Sequence, residues 1–167
     1  PDAGAVKTNY RLAQDFEVDT CSFFKNRKNG VIDHMMLIGD VRDKIVIMVD
    51  DMIDTGGTIC KASNMLKENG ALEIYVFATH GLFSKNALEN IEQSSITKVI
   101  VSNTIANPTS IFLPNTKIEQ IDVSWMCAEA ILRLNNGESI SHLYQNYEYF
   151  LSSSNNSPTD RTSPANI

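Results

Sequence analysis

The chain has 167 residues, a formal net charge of −6 and 43% hydrophobic residues, which fits one globular domain with a real core. The acidic balance without a basic run gives no support to a nucleic-acid or anionic-membrane surface, and apolar runs such as Ile45 to Val49 are far too short to span a bilayer. Three cysteines set far apart, Cys21, Cys60 and Cys127, suggest neither a disulfide framework nor a zinc site, and a reducing cytoplasm is the simplest compartment.

The opening "PDAGAVK" carries no initiating Met and reads as the interior of something longer. Val6, Tyr10 and Ala13 fall on one helical face, followed by the β-rich "VDTCSFF". The basic segment "KNRKNG" then leads to "MMLIG", so the pattern predicts two strands joined by a long exposed loop. Ile45 to Val49 is predicted as a buried strand. Beyond it comes "VDDMIDTGGT", an acid-bearing Gly-rich turn. Ile59, Ala62, Met65 and Leu66 then form a helical stripe that stops at Asn69-Gly70. Three more strands are predicted at "IYVFATH", "KVIVSN" and "IEQIDV". Leu88 and Ile91 mark a helix between the first two, and Cys127, Ala130, Ile131 and Leu134 mark another after the last. This alternation predicts an α/β fold, a mainly parallel sheet with helices on both faces and a hairpin with a mobile loop near the N-terminus. The folded domain is expected over 1–150. The Ser/Asn/Pro-rich stretch 151–167 is expected to be a disordered tail, because it lacks the apolar side chains to repay ordering.

Ligands of such sheets gather at the C-terminal strand ends, where Asp50, Asp51 and His80 fall. The turn there resembles a phosphate cradle, yet it holds Asp50, Asp51 and Asp54 and no Lys or Arg. A P-loop would need a Gly-Lys-Ser/Thr ending, and a dinucleotide fingerprint would need its acid downstream of the glycines. A ligand with two ends resolves the conflict. Consecutive N–H groups from Thr55 through Gly56 and Gly57 to Thr58, with two hydroxyls and the helix dipole, can hold one phosphate dianion. Asp50 and Asp51 can accept hydrogen bonds from a vicinal diol or ligate a divalent cation. A sugar phosphate meets both demands. The plainer alternative is a capped, Asp-rich turn without a ligand.

"IVIMVDDMIDTGGTICKA" resembles the phosphoribosyl pyrophosphate-binding motif of the type I phosphoribosyltransferase fold. "PDAG", "KNRK", "LIGDVRDK", "YVFATHGLFS", "VSNTI" and "AEAILRLNNGESIS" resemble, in order, the ribose-phosphate pyrophosphokinase (phosphoribosyl pyrophosphate synthetase) family. The resemblance covers roughly 1–145 and corresponds to the C-terminal half of a synthetase subunit. It implies transfer of the β,γ-diphosphoryl group of ATP to the 1-hydroxyl of ribose 5-phosphate with Mg²⁺, giving 5-phosphoribosyl 1-pyrophosphate and AMP. By the same resemblance Asp50 and Asp54 to Thr58 match the ribose 5-phosphate loop. Lys25 and Arg27 match a catalytic basic pair, with Arg27 also touching substrate, and Asp2 matches a Mg²⁺ ligand. It further implies a cytoplasmic homo-oligomer, a hexamer under phosphate and ADP control, with ribose 5-phosphate and ATP as partners. The ATP-contacting residues of that family lie mostly in the half not present here, so activity of this stretch alone is not expected. Two alternatives stay open: a nucleobase phosphoribosyltransferase, and a non-catalytic synthetase-associated regulatory subunit.

Overall fold

Strands and helices alternate along the chain in the predicted order. In the computed structural model, which describes residues 10–28, 31–141 and 143, a helical segment α1 covers residues 10–15. The hairpin strands β1 (Ser22–Lys28) and β2 (Val31–Ile38) follow, then β3 (Ile45–Ile53), α2 (Gly57–Glu68) and β4 (Glu73–Gly81). After α3 (Ala87–Gln93) come β5 (Lys98–Ser102), a short 3₁₀ turn (Thr109–Phe112), β6 (Ile118–Ile121) and α4 (Ser124–Asn136). Two compact units, Pro1–Asp122 and Val123–Ile167, make up the chain. The expected tail at 151–167, Val6 and Asp2 lie outside the described residues.

The first unit is built on a four-stranded sheet in the order β3-β4-β5-β6, parallel throughout. Parallel strands need crossovers, and α2 and α3 supply two of them. One sheet face buries Val76, Ala78, Val99, Val101 and Ile118 in a cluster with Ile59 and Cys60 of α2 and Ala87 and Ile91 of α3. A second cluster joins Val46 and Ile74 to Leu66, one helical stripe further along α2, with Val41 and Ala71. The apolar spacing of α2 therefore does what its period predicts: Ile59, Ala62 and Leu66 are buried, while Lys61 and Lys67 stay exposed.

The strand β3 runs further than its apolar core suggests. Pairing continues past Val49, with Asp50 opposite Ala78, Met52 opposite His80 and Ile53 opposite Gly81. Asp50 and Asp51 are thus strand residues, and only Asp54, Thr55 and Gly56 form the turn before α2. Backbone ladder bonds to β4 carry the strand where side-chain hydrophobicity alone would end it.

The hairpin forms a separate two-stranded antiparallel sheet. Its ladder takes in most of the basic segment predicted as loop: Lys25 faces Met35, Arg27 faces Ile32 and Lys28 faces Val31. A register shift between Asn26 and Arg27 marks a β-bulge. Cys21, Phe23 and Leu37 anchor the hairpin base against the cluster around Val46 and Leu66.

In the second unit α4 ends at Gly137, whose φ of 71° is left-handed. Its last turn is closed by Gly137 N–H to the Leu134 carbonyl (3.2 Å) and Glu138 N–H to that of Arg133 (2.8 Å). Among the described residues no helix is long and apolar enough to cross a membrane.

One lysine secures the end of α3. The Lys117 ammonium donates to the carbonyls of Glu92 and Ser94, both at 2.8 Å. Its backbone N–H donates to Glu92 Oε1 at 2.7 Å. A cation on the last carbonyls of a helix satisfies orphan acceptors and opposes the helix dipole. Lys117→Met keeps the stem and removes the donor. We expect a stability loss of about 1–2 kcal/mol, read as a lower urea midpoint at unchanged slope.

Candidate functional site

The turn after β3 is fixed from below by backbone hydrogen bonds from the β4–α3 loop. Leu82 N–H donates to the Ile53 carbonyl at 2.8 Å, Phe83 N–H to the same carbonyl at 3.2 Å, and Ser84 N–H to the Asp54 carbonyl at 3.0 Å. These bonds occupy the carbonyls that precede the turn. Cys60 N–H then takes the Gly56 carbonyl at 3.0 Å and starts the helix. No side chain caps α2, and its first turn carries no acid. No hydrogen bond among the described residues takes the N–H groups of Thr55, Gly56, Gly57 or Thr58. Four successive donors at a helix N-terminus make an anion-binding edge.

The two glycines play different parts. Gly56 is buried and sits at φ 71°, ψ −7°, a left-handed conformation that opens the chain into the helix. A Cβ there would meet only ordinary contacts, the Ala87 carbonyl and Ile91 Cγ1 both at 3.7 Å, so the demand is on the backbone. Gly57 has an unstrained backbone, and a Cβ on it would meet nothing nearer than Thr55 Oγ1 at 3.9 Å. The space above Gly57 is open to a ligand. Cys60 lies beneath the turn, and burial pushes its thiol pKa up, so it stays neutral and adds no negative charge there.

The acids flank this edge. Asp51 N–H donates to Asp50 Oδ1 at 3.0 Å, which orients the Asp50 carboxylate beside its own backbone and leaves its second oxygen available. Asp50 is half-buried, and Asp51 and Asp54 are exposed. The structure thus brings Asp50, Asp51, Asp54, Thr55, Gly56, Gly57 and Thr58 together as one strand end and turn. Lys25 and Arg27 stand on β1 in the separate hairpin sheet, and their side chains lie outside the described residues, as does Asp2.

His80, next to Met52 across the ladder, belongs to a polar network. Its Nδ1 lies 2.8 Å from Thr104 Oγ1. Ser102 donates to the Thr79 carbonyl at 2.6 Å and contacts Thr104 Oγ1 at 2.9 Å. Asn107 Nδ2 donates to the Gly81 carbonyl at 2.8 Å. This network fixes the end of β4, from which the bracing loop departs. Sequence reasoning missed the brace. Its one local signal is Gly81, where a Cβ would meet the Phe83 ring at 2.5 and 2.8 Å.

Comparison with known proteins finds similarity over most of the chain. The profile of the family described as "Phosphoribosyl synthetase-associated domain" matches residues 12–145. The chain is similar to "Ribose-phosphate pyrophosphokinase 2" of Schizosaccharomyces pombe, at 45% identity over 145 residues, covering 86% of this chain and 45% of that protein. It is also similar to the crystal structure of phosphoribosylpyrophosphate synthetase from Mycobacterium smegmatis, with a TM-score of 0.72 and 31% identity, covering 82% of this chain and 44% of that one. The chain spans a little under half the length of these relatives.

The glycine geometry separates fold from binding. Gly56→Ala places a Cβ in a left-handed conformation and is expected to lower stability by about 1 kcal/mol. Gly57→Val adds bulk only where the space is open. It should leave the melting temperature nearly unchanged and abolish anion binding at the turn. Thermal melts and calorimetric titration of both variants check the contrast.

Proposed function

The chain belongs to the phosphoribosyl synthetase-associated domain family, and from that we propose that it supplies the ribose 5-phosphate half of a ribose-phosphate pyrophosphokinase active site. The observation that carries the proposal is the turn itself, with free N–H groups from Thr55 to Thr58 beside Asp50 and Asp51. The 5-phosphate binds the amide edge and the Thr55 and Thr58 hydroxyls. Asp50 and Asp51 take the ribose hydroxyls at the other end of the ligand. The placement at the C-terminal ends of parallel strands supports this polarity.

In the reaction, the 1-hydroxyl oxygen of the sugar attacks the β-phosphorus of ATP. A new O–P bond forms, the bond to the α-phosphate oxygen breaks, AMP leaves, and the hydroxyl proton is released. Such transfers leave little covalent chemistry to the protein, so rate comes from positioning and from neutralising spread charge. Holding the phosphate at one end and the diol at the other fixes the 1-hydroxyl for in-line attack. Lys25 and Arg27 are the residues we assign to the transferring group, where their charges oppose the charge that develops. Arg27 also serves binding, since a guanidinium can span two phosphate oxygens.

Mg²⁺ belongs to the proposal as a substrate-borne ion. Among the described residues no group of three His, Cys, Asp or Glu converges as a cage. Mg²⁺ typically keeps several waters and binds through one or two carboxylates plus substrate phosphates, and we assign Asp2 to that manner of binding, as the resemblance implies. Bound, it would neutralise charge on the transferring group. ATP as second substrate, homo-oligomeric assembly as a hexamer and a cytoplasmic setting complete the reading. Cys21, Cys60 and Cys127 are free thiols, which suits a reducing compartment.

Steady-state kinetics of the intact protein test the assignment. Lys25→Ala should lower kcat by roughly a hundredfold, the scale of losing one preorganised electrostatic donor, with little change in ribose 5-phosphate affinity. Arg27→Ala should lower kcat and weaken binding. Lys28→Ala, the next residue along β1, should be mild. An intact kcat in Lys25→Ala, or Lys28→Ala as the most damaging change, would remove the catalytic role of the pair. Sugar-phosphate binding with no turnover in the intact protein would instead mark the non-catalytic subunit.

A further inference from the structure

We propose that Lys85 supplies the positive charge that the acid-lined turn lacks, its ammonium contacting the phosphate group of a sugar phosphate held at Thr55–Thr58. The inference rests on the site reading above and adds a residue outside the motif.

The backbone of Lys85 is bracketed by two contacts with the turn. Ser84, just before it, donates its N–H to the Asp54 carbonyl at 3.0 Å. Ala87, two residues after it, places its carbonyl 3.7 Å from the position a Cβ on Gly56 would take. The flexible four-carbon stem of a lysine starting between these points can reach an anion seated on the amides above Gly56 and Gly57.

Its conformation is also unusual. Lys85 has φ 57° and Phe83 has φ 53°, two left-handed non-glycine residues in one short loop. Phe83 is buried in the core cluster, which accounts for the first. Lys85 is exposed and packs into no core, so its backbone strain has no compensation from burial. Glycine would adopt this conformation freely, and what lysine adds is its side chain.

The charge is available. Lys44 pairs with Asp19, Lys98 with Glu119, and Arg133 with Glu129 and Glu138. Lys67 and Lys117 bind backbone carbonyls. Among the described residues Lys85 makes no hydrogen bond or ion pair. The charged residues of the turn and of α3 are Asp54, Glu89 and Glu92, all acids, and Glu92 already accepts the Lys117 backbone N–H. A phosphate dianion brought beside Asp50, Asp51 and Asp54 meets repulsion that a neighbouring ammonium offsets.

Lys85→Gly separates the side chain from the backbone. We expect a melting temperature that is unchanged or raised, because the left-handed strain is relieved. Calorimetric titration of the intact protein with ribose 5-phosphate should show about a fivefold loss of affinity, the upper end for a solvent-exposed ion pair. The salt dependence of binding should flatten in the same variant. Lys85→Arg should retain the affinity, and Lys61→Ala, on the second turn of α2, should match the unaltered protein. If the unaltered protein binds and Lys85→Gly binds equally well with the same salt dependence, the role of Lys85 is refuted while the site reading stands. If the unaltered protein does not bind ribose 5-phosphate, the site reading fails and this inference with it.

Discussion

The carbonyls of Ile53 and Asp54 are held by three N–H groups of residues 82–84, and the candidate site depends on this brace. A turn between a strand and a helix has both donors and acceptors to satisfy. Here the acceptors at the strand end are taken by the β4–α3 loop, and the donors at the helix start are left outward. Gly56 then turns the chain in a left-handed step, and no hydrogen bond among the described residues takes the amides of Thr55 to Thr58.

The same constraint explains why acids and an anion can share one turn. Asp50 and Asp51 lie within β3, held in the ladder by the pairing of Asp50 with Ala78 and Met52 with His80. Their carboxylates are therefore placed by a strand and the amides by a helix start, two elements that the turn separates. A ligand with a phosphate at one end and a diol or metal at the other can satisfy both. The polar network of His80, Thr104, Ser102 and Asn107 stiffens the neighbouring strand end, and through Gly81 and Phe83 it supports the brace.

Much of this was legible in the sequence. The stripe Ile59, Ala62, Leu66 and the stop at Asn69-Gly70 locate α2, because a helical period and a glycine ending are local signals. The strands at "IYVFATH", "KVIVSN" and "IEQIDV" are found at Glu73–Gly81, Lys98–Ser102 and Ile118–Ile121, since buried parallel strands are written as short apolar runs. The extension of β3 through Asp50 to Ile53 was hidden, because it depends on pairing with a strand 28 residues away, as Asp50 to Ala78 shows. The hairpin is legible but the basic segment at its tip reads as loop, for a similar reason: Lys25 and Arg27 have weak strand preference, and only their register with Met35 and Ile32 places them in the ladder. The left-handed Phe83 and Lys85 left no trace, as neither residue type announces a positive φ.

The central claim is that backbone amides of the turn, and not side-chain charge alone, hold the phosphate of a sugar phosphate. Backbone amide resonances of Thr55, Gly56, Gly57 and Thr58, followed while ribose 5-phosphate is titrated in, test it most directly. The account predicts saturable shifts at these four amides, larger than those elsewhere on α2, and no such shifts with ribose lacking the phosphate. Amides that remain unmoved at saturating ribose 5-phosphate, or that move equally with unphosphorylated ribose, would contradict it.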